Sequence, residues 1–266
     1  MNFSKNKLII IFIFLIATES RLCFSQQNII DSLKRRINQN LHDTDKIHSL
    51  NALGWNLKFQ NPDTSILLGN QALEILSKLS VIENKTGWKD NIAGNTNNRL
   101  GVYYTIKGDF PKSIEAYLIA LKIYRQLNNE LSIALTLGNI GSAYKYQKNY
   151  PKALKFYNEG LEIEKKLDNK SGIASKLSNI ADVYYNLFRY KEALENMFYA
   201  LEIYEASGNQ NGIATNLVNI GNVYSDLADS AKVKGSGSDE LNEKFSDAIA
   251  YYLKALKIRE KLNDDG

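Results

Sequence analysis

From residue 94 onward, apolar and polar positions follow a helical rhythm that resets every forty residues. Leu100-Gly101-Val102-Tyr103-Tyr104, Ile140-Gly141-Ser142-Ala143-Tyr144, Ile180-Ala181-Asp182-Val183-Tyr184 and Ile220-Gly221-Asn222-Val223-Tyr224 stand in one register. Self-similarity at such a period marks stacked repeats, in which each unit buries its apolar face only against its neighbours. In the copy that begins at Ala134, the residues Leu137, Ile140, Gly141 and Tyr144 share one face of a first helix. Asn149-Tyr150-Pro151 breaks that helix, and Pro151 suits the first turn of the next, where a missing N–H costs nothing. Ala153, Tyr157, Gly160, Leu161 and Ile163 form the inward stripe of the second helix. Gly141, Ala153 and Gly160 are small where the helices must approach, and the large residues fill the gaps. Tyrosines such as Tyr144 and Tyr184, at helical spacing beside small residues, are expected in the core. The pattern predicts an all-α chain of antiparallel helix pairs.

The same register divides the chain. Full copies cover 94–133, 134–173, 174–213 and 214–266, and a degenerate one covers about 46–85, carried by Leu53-Gly54, Leu57, Pro62, Ser65, Gly69, Ala72 and Leu73. Upstream, within 26–45, Ile30, Leu33, Ile37 and Leu41 predict a short capping helix followed by a connector. Fifteen more residues separate Tyr224 from Phe245 than in the other copies. This insertion, near 228–243, holds Lys234-Gly235-Ser236-Gly237-Ser238-Asp239, which predicts a lengthened helix and then a flexible loop. The final Asn263-Asp264-Asp265-Gly266 matches the connectors 168–172 and 208–212, each of which leads into another helix. The last helix also keeps Ile249, Tyr252, Leu253 and Leu256, so a continuation of the array is expected; an atypical terminal repeat is the alternative.

These residues resemble the tetratricopeptide repeat. Leu100, Gly101, Tyr104, Phe110, Ser113, Tyr117 and Ala120 fill its positions in one copy. Leu177, Ile180, Ala181, Tyr184, Tyr190, Ala193, Met197 and Ala200 fill them in another, and Leu217, Ile220, Gly221, Tyr224, Phe245, Ala248, Tyr252 and Ala255 in the last. A period of forty rather than about thirty-four is similar to the kinesin light chain type. The resemblance implies a right-handed superhelix, or solenoid, whose first helices line a concave groove. It also implies that asparagines in that groove hold peptides.

Composition narrows the function classes. Lys5 and Lys7 precede an apolar run from Leu8 to Ala17, and Cys23-Phe24-Ser25-Gln26 follows. The run is too short to span a bilayer as a helix, so residues 1–25 read as a secretory signal cut after Ser25, with an uncleaved anchor as the alternative. Ser20-Arg21-Leu22 does not suit a lipoprotein signal on Cys23. Export to the cell envelope, periplasmic in a bacterium, is the expectation. The net charge of +4 falls to +2 without the leader, which argues for neither nucleic acid nor a membrane surface as partner. Cys23 is the only cysteine, so the mature chain has no disulfide and no thiolate site.

The candidate chemistry lies on the first helices. Asn139, Asn179 and Asn219 form a ladder, with Arg99 at the equivalent position of the first full copy. Around them fall Asn95, Asn98, Ser142, Lys145, Tyr146, Asp182, Tyr185, Asn222 and Asp226. Each asparagine offers both a donor and an acceptor, so a column of them pairs with an extended backbone whatever its side chains. The bland reading stays open: such an amide also bonds a neighbouring helix and fixes the repeat geometry. On the second helices, Lys152, Lys155, Glu162, Glu164, Lys165 and Lys166 read as a solvated face. His42 and His48, six apart, match no helical metal spacing, and no nucleophile has a base placed for it. No catalysis, cofactor, metal or small-molecule substrate is expected. The reading is a protein- or peptide-binding scaffold, with the sensory input region of a longer membrane signalling enzyme as the alternative.

Overall fold

The computed structural model describes residues 26–39, 41–79, 87–233 and 237–264, so the leader segment lies outside the described residues. The chain divides into two compact units, one ending at Leu127 and the other beginning at Asn128. Every regular element among the described residues is a helix. The first unit holds α1 (26–37), α2 (Asp43–Leu57), α3 (Pro62–Lys78), α4 (Trp88–Lys107) and α5 (Phe110–Gln126). The second holds α6 (Glu130–Tyr146), α7 (Tyr150–Lys166), α8 (Lys170–Asn186), α9 (Tyr190–Ala206), α10 (Gln210–Val233) and α11 (Ser238–Asp264).

The forty-residue period has a simple origin in the second unit: helices of 17 residues joined by three-residue turns. Each turn uses the same devices. Its middle residue takes a left-handed backbone, at Lys148 (φ 58°), Asp168 (φ 50°), Phe188 (φ 58°) and Gly208 (φ 68°). The next N–H then reaches five residues back, from Asn149 to the Tyr144 carbonyl and from Asn169 to that of Glu164, both at 2.9 Å. That residue also caps the following helix: Oδ1 of Asn149, Asn169 and Asn209 accepts from the backbone N–H of Lys152, Gly172 and Gly212. Arg189 occupies the same place without a side-chain cap.

Packing follows the small-against-large pattern. A methyl added at Gly141 would stand 2.7 Å from the ring of the fully buried Tyr157, and one at Gly221 would stand 2.6 Å from Tyr252. Leu137 and Ile140 are wholly buried, each contributing about 1.5–3 kcal/mol through its removal from water. In the first unit, Ile30 of α1, Ile47, Leu50 and Leu53 of α2 and Leu68, Ala72 and Leu76 of α3 make one core, with Leu33 and Ile37 packed against it. The α1 helix stops at Ile37, before Leu41.

At the insertion α10 runs on to Val233, because Ala228 and Ala231 continue its buried stripe, and α11 starts at Ser238. Residues 234–236 lie outside the described ones. Tyr144 and Tyr184 are half-buried at the core's edge rather than inside it. Tyr144 stacks on Phe156 at 5.5 Å with Lys152 over its ring, an arrangement that keeps its polar end near water. Glu164 is not on the solvated face; it is fully buried.

Candidate peptide-binding groove

Two residues along a helix turn the side chain by about 200°. Gly141 and Gly221 face the tyrosines of α7 and α11, so Asn139 and Asn219, two residues earlier, stand on the side that the second helices leave uncovered. Asn179 holds the same register on α8, two before the wholly buried Ala181. All three amides are half-buried. Asn139 has an intramolecular partner. Asn179 and Asn219 make no side-chain hydrogen bond among the described residues.

The neighbouring positions form a polar network along this face of the second unit. Tyr157 reaches from α7 between small residues until its hydroxyl meets Ser142 Oγ at 2.9 Å. Tyr252 does the same from α11, donating to Asn222 Oδ1 at 2.8 Å. In the copy between them the tyrosine is replaced by Met197, which leaves Asp182 without that partner. Asp182 instead takes the ammonium of Lys145 on α6, at 2.5 Å. Burial works against the Lys145 charge, but the bond to Asp182 and its charge outweigh it and hold the amine above its ordinary range. The exposed Tyr146 ring lies beside the same ammonium, 5.2 Å away. One step on, Tyr190 Oη lies 3.5 Å from Asp226 of α10. Burial, and then the neighbouring Asp226 carboxylate, push the Tyr185 phenol up to about 12.

The three candidates of the first unit sit differently. Asn95 donates to Asn91 at 2.8 Å and accepts from Tyr124 of α5 at 2.8 Å. Arg99 donates to the Asn51 carbonyl of α2 at 2.7 Å and lies 5.5 Å from the Trp55 ring. Asn98 also has a partner. The Asn95 and Arg99 side chains tie α4 into its own unit, and the ladder proper belongs to α6, α8 and α10.

Sequence reasoning missed one polar feature of this unit. The Lys176 ammonium lies 3.5 Å from Glu164 Oε1, with the two side chains 4% and 0% exposed. Glu164 Oε2 accepts from Asn169 Nδ2 at 2.7 Å, while Oε1 has no hydrogen bond, so the contact with Lys176 is an ion pair only. Desolvation lowers the Lys176 amine from its usual range, against the pull of Glu164. A register comparison signals the pair: Glu164 stands where Tyr124 and Tyr204 stand, and Lys176 where Thr136 and the buried Asn216 stand. Elsewhere, His42 caps α2, accepting from the Thr44 N–H at 3.4 Å. No group of three His, Cys, Asp or Glu that would hold a metal occurs among the described residues. A cleft of about 340 Å³ between α8 and α9, lined by Ile173, Tyr199 and Ile203, contains none of the ladder residues.

Two family models for the tetratricopeptide repeat match the chain, one over residues 93–166 and one over residues 173–206. Over those residues the chain is built from tetratricopeptide repeats. Solved structures resemble it along most of its length. BtubC (BKLC) from P. vanneervenii is 20% identical, covers 92% of each chain and gives a TM-score of 0.66. The kinesin light chain nearly identical TPR-like repeats of Podosopora anserina are 15% identical, over 80% of this chain and 97% of that one, with a TM-score of 0.58. A Rap protein complexed with competence and sporulation factor is 16% identical, over 91% and 73%, with a TM-score of 0.57. At these identities the likeness is one of fold. No curated protein matches the chain in sequence. No helix of the described residues is long and apolar enough to cross a membrane.

Proposed function

We propose that this tetratricopeptide repeat chain is a non-catalytic scaffold that holds an extended segment of a partner protein, or a free peptide, on the asparagine face of α6, α8 and α10. The observation that carries the reading is the state of Asn179 and Asn219. Both amides are half-buried, and neither has an intramolecular bond among the described residues. An amide left so exposes one carbonyl and one N–H₂ to a ligand backbone, whereas a residue that merely fixed the repeat would spend its bonds on a neighbouring helix. Spacing favours an extended guest. Helices packed side by side lie about 8–10 Å apart, and three residues of an extended polyproline-type chain advance about 9 Å. Each asparagine would then meet every third residue, on the same face of the guest. The Rap protein that resembles this chain is itself found in a complex, with competence and sporulation factor.

The test is replacement of Asn139, Asn179 and Asn219 by alanine together, measured on a peptide selected by array screening against the parent protein. Binding is expected to fall at least about tenfold, the loss of roughly 1.4 kcal/mol, with the melting temperature nearly unchanged. A collapse of stability with binding retained per folded molecule would assign the ladder to repeat geometry instead. The pattern of residues 1–25 supports export to a bacterial envelope, and mass spectrometry of the secreted protein is expected to find Gln26 at its N-terminus.

A further inference from the structure

Along the asparagine face, two carboxylates, Asp182 and Asp226, stand at different positions of the repeat, and only the first has a cationic partner among the described residues. Asp182 is paired with Lys145 from the preceding first helix. The residue forty after Lys145 is Tyr185, and the carboxylate beside it, Asp226, has no ion pair among the described residues. It is half-buried, and its contacts across helices are the phenols of Tyr185 and Tyr190, the latter at 3.5 Å, which bring it no positive charge. The one basic residue in the adjoining turn, Arg189, is engaged elsewhere. Its guanidinium is bonded to Glu192 and lies over the Tyr184 ring at 4.7 Å.

What surrounds Asp226 is aromatic. Tyr185 lies against it, with its ring 6.0 Å from that of Tyr190 at 50°. Phe188 meets Tyr190 edge-on, with 6.2 Å between centroids. Phe188 is 77% exposed and sits at a left-handed φ of 58°, where the first-unit turn has Gly108 and the preceding one Lys148. A bulky residue at positive φ costs free energy, and the turn itself accepts glycine or lysine there. The exposed ring therefore needs a reason outside the turn. Aromatic faces carry negative charge, and two phenol rings at one carboxylate, with a third, exposed ring against one of them, make a receptor for an organic cation.

We propose that Asp226, with the rings of Tyr185, Phe188 and Tyr190, is a subsite for the cationic head of a lysine or arginine side chain on the guest held by the asparagine ladder. The site does for the guest what Asp182 does for Lys145. This deepens the peptide-binding reading and rests on it for the source of the cation, but the receptor itself is testable alone.

Two arms separate the questions. In the first, the protein with labelled tyrosine and phenylalanine rings is titrated by NMR with butylammonium, butylguanidinium and tetramethylammonium, with butanol as the neutral control. The cations are expected to shift the signals of Tyr185, Phe188 and Tyr190 saturably. Asp226→Asn is expected to abolish the shift, and Asp229→Asn, at an exposed acid one turn away, to leave it intact. No saturable shift at those rings, or one unaffected by Asp226→Asn, overturns the proposal. In the second arm, an array-selected peptide is compared with copies in which each lysine or arginine is replaced by norleucine. One replacement is expected to cost about tenfold in affinity with the parent and nothing with Asp226→Asn. If free cations bind at Asp226 but no peptide replacement matters, the site is a receptor for small organic cations and the side-chain assignment is overturned. If the ladder variant binds peptide normally while the Asp226 effect persists, the ladder reading fails and the subsite stands.

Discussion

The buried pair of Glu164 and Lys176 offers a measurable consequence of the repeat register. Glu164→Gln keeps the size and the bond from Asn169 but leaves the Lys176 ammonium buried without its counter-charge. The stem of that lysine cannot swing out freely, since it lies over Gly160 and Gly138, where an added methyl would stand 3.0 and 3.1 Å from it. Breaking a buried pair by removing one partner costs about 3–5 kcal/mol. For a chain of this size that corresponds to a fall in melting temperature of about 6–20 °C. The repeats themselves supply a compensating pair. In the next copy the same two places hold Tyr204 and Asn216, and Gly212 faces Tyr204 just as Gly172 faces Glu164. Asn216 there donates to the Met197 carbonyl at 2.7 Å. Glu164→Tyr combined with Lys176→Asn is therefore expected to recover the parent's stability within about 1 kcal/mol, because replacing a buried ion pair as a unit removes its desolvation cost as well. Urea denaturation followed by circular dichroism reads all three proteins. A stable Glu164→Gln variant, or a double variant no better than the single one, would refute the argument that these positions are one interchangeable buried layer.

Other perturbations probe separate parts of the account. Gly141→Leu is expected to cost about 1–3 kcal/mol through overpacking, since its first side-chain carbon already meets the Tyr157 ring, and that ring is held by Ser142; a melting temperature equal to the parent's would contradict the close approach of α6 and α7. Tyr185 keeps its proton up to about 12, whereas an unfolded tyrosine loses it near 10. Between these values the folded state binds more protons than the unfolded one, so this phenol's contribution to stability is present below pH 10 and lost as the pH rises toward 12. Phenolate absorbance in Asp226→Asn is expected to show Tyr185, Tyr190 and Tyr252 titrating earlier than in the parent, since Asp226 raises all three, and identical curves would remove Asp226 from beside these phenols.

Much of the helical architecture was legible because the period is strict. Pro151 at a helix start, and the small Gly141, Ala153 and Gly160 where paired helices approach, each follow from local chemistry that one copy repeats from another. Where the chain departs from its own repeat, the sequence was harder to read. At the insertion, Ala228 and Ala231 carry the buried stripe of α10 to Val233, while residues 234–236 of the glycine-serine stretch lie outside the described residues. Glu164 looked like one more charge on a charged helix, because its partner lies in the following helix and charge pattern along one helix does not reveal it. The candidate groove shows the same limit. The asparagine register was visible in sequence, yet Asn95 and Arg99 proved to be tied into the first unit by Tyr124 and Asn51, contacts that depend on how neighbouring helices pack. The aromatic surroundings of Asp226 arise from a turn, a helix start and a third helix, which no single stretch of sequence joins.

The most direct test of the central claim is to follow the side-chain amide NMR signals of Asn179 and Asn219 while an array-selected peptide is added. The account predicts that both amides shift and gain protection from solvent exchange in step with binding, because each trades water for the guest backbone. Saturable binding that leaves both signals unmoved, with shifts confined to the outer helices α7 and α9, would contradict it.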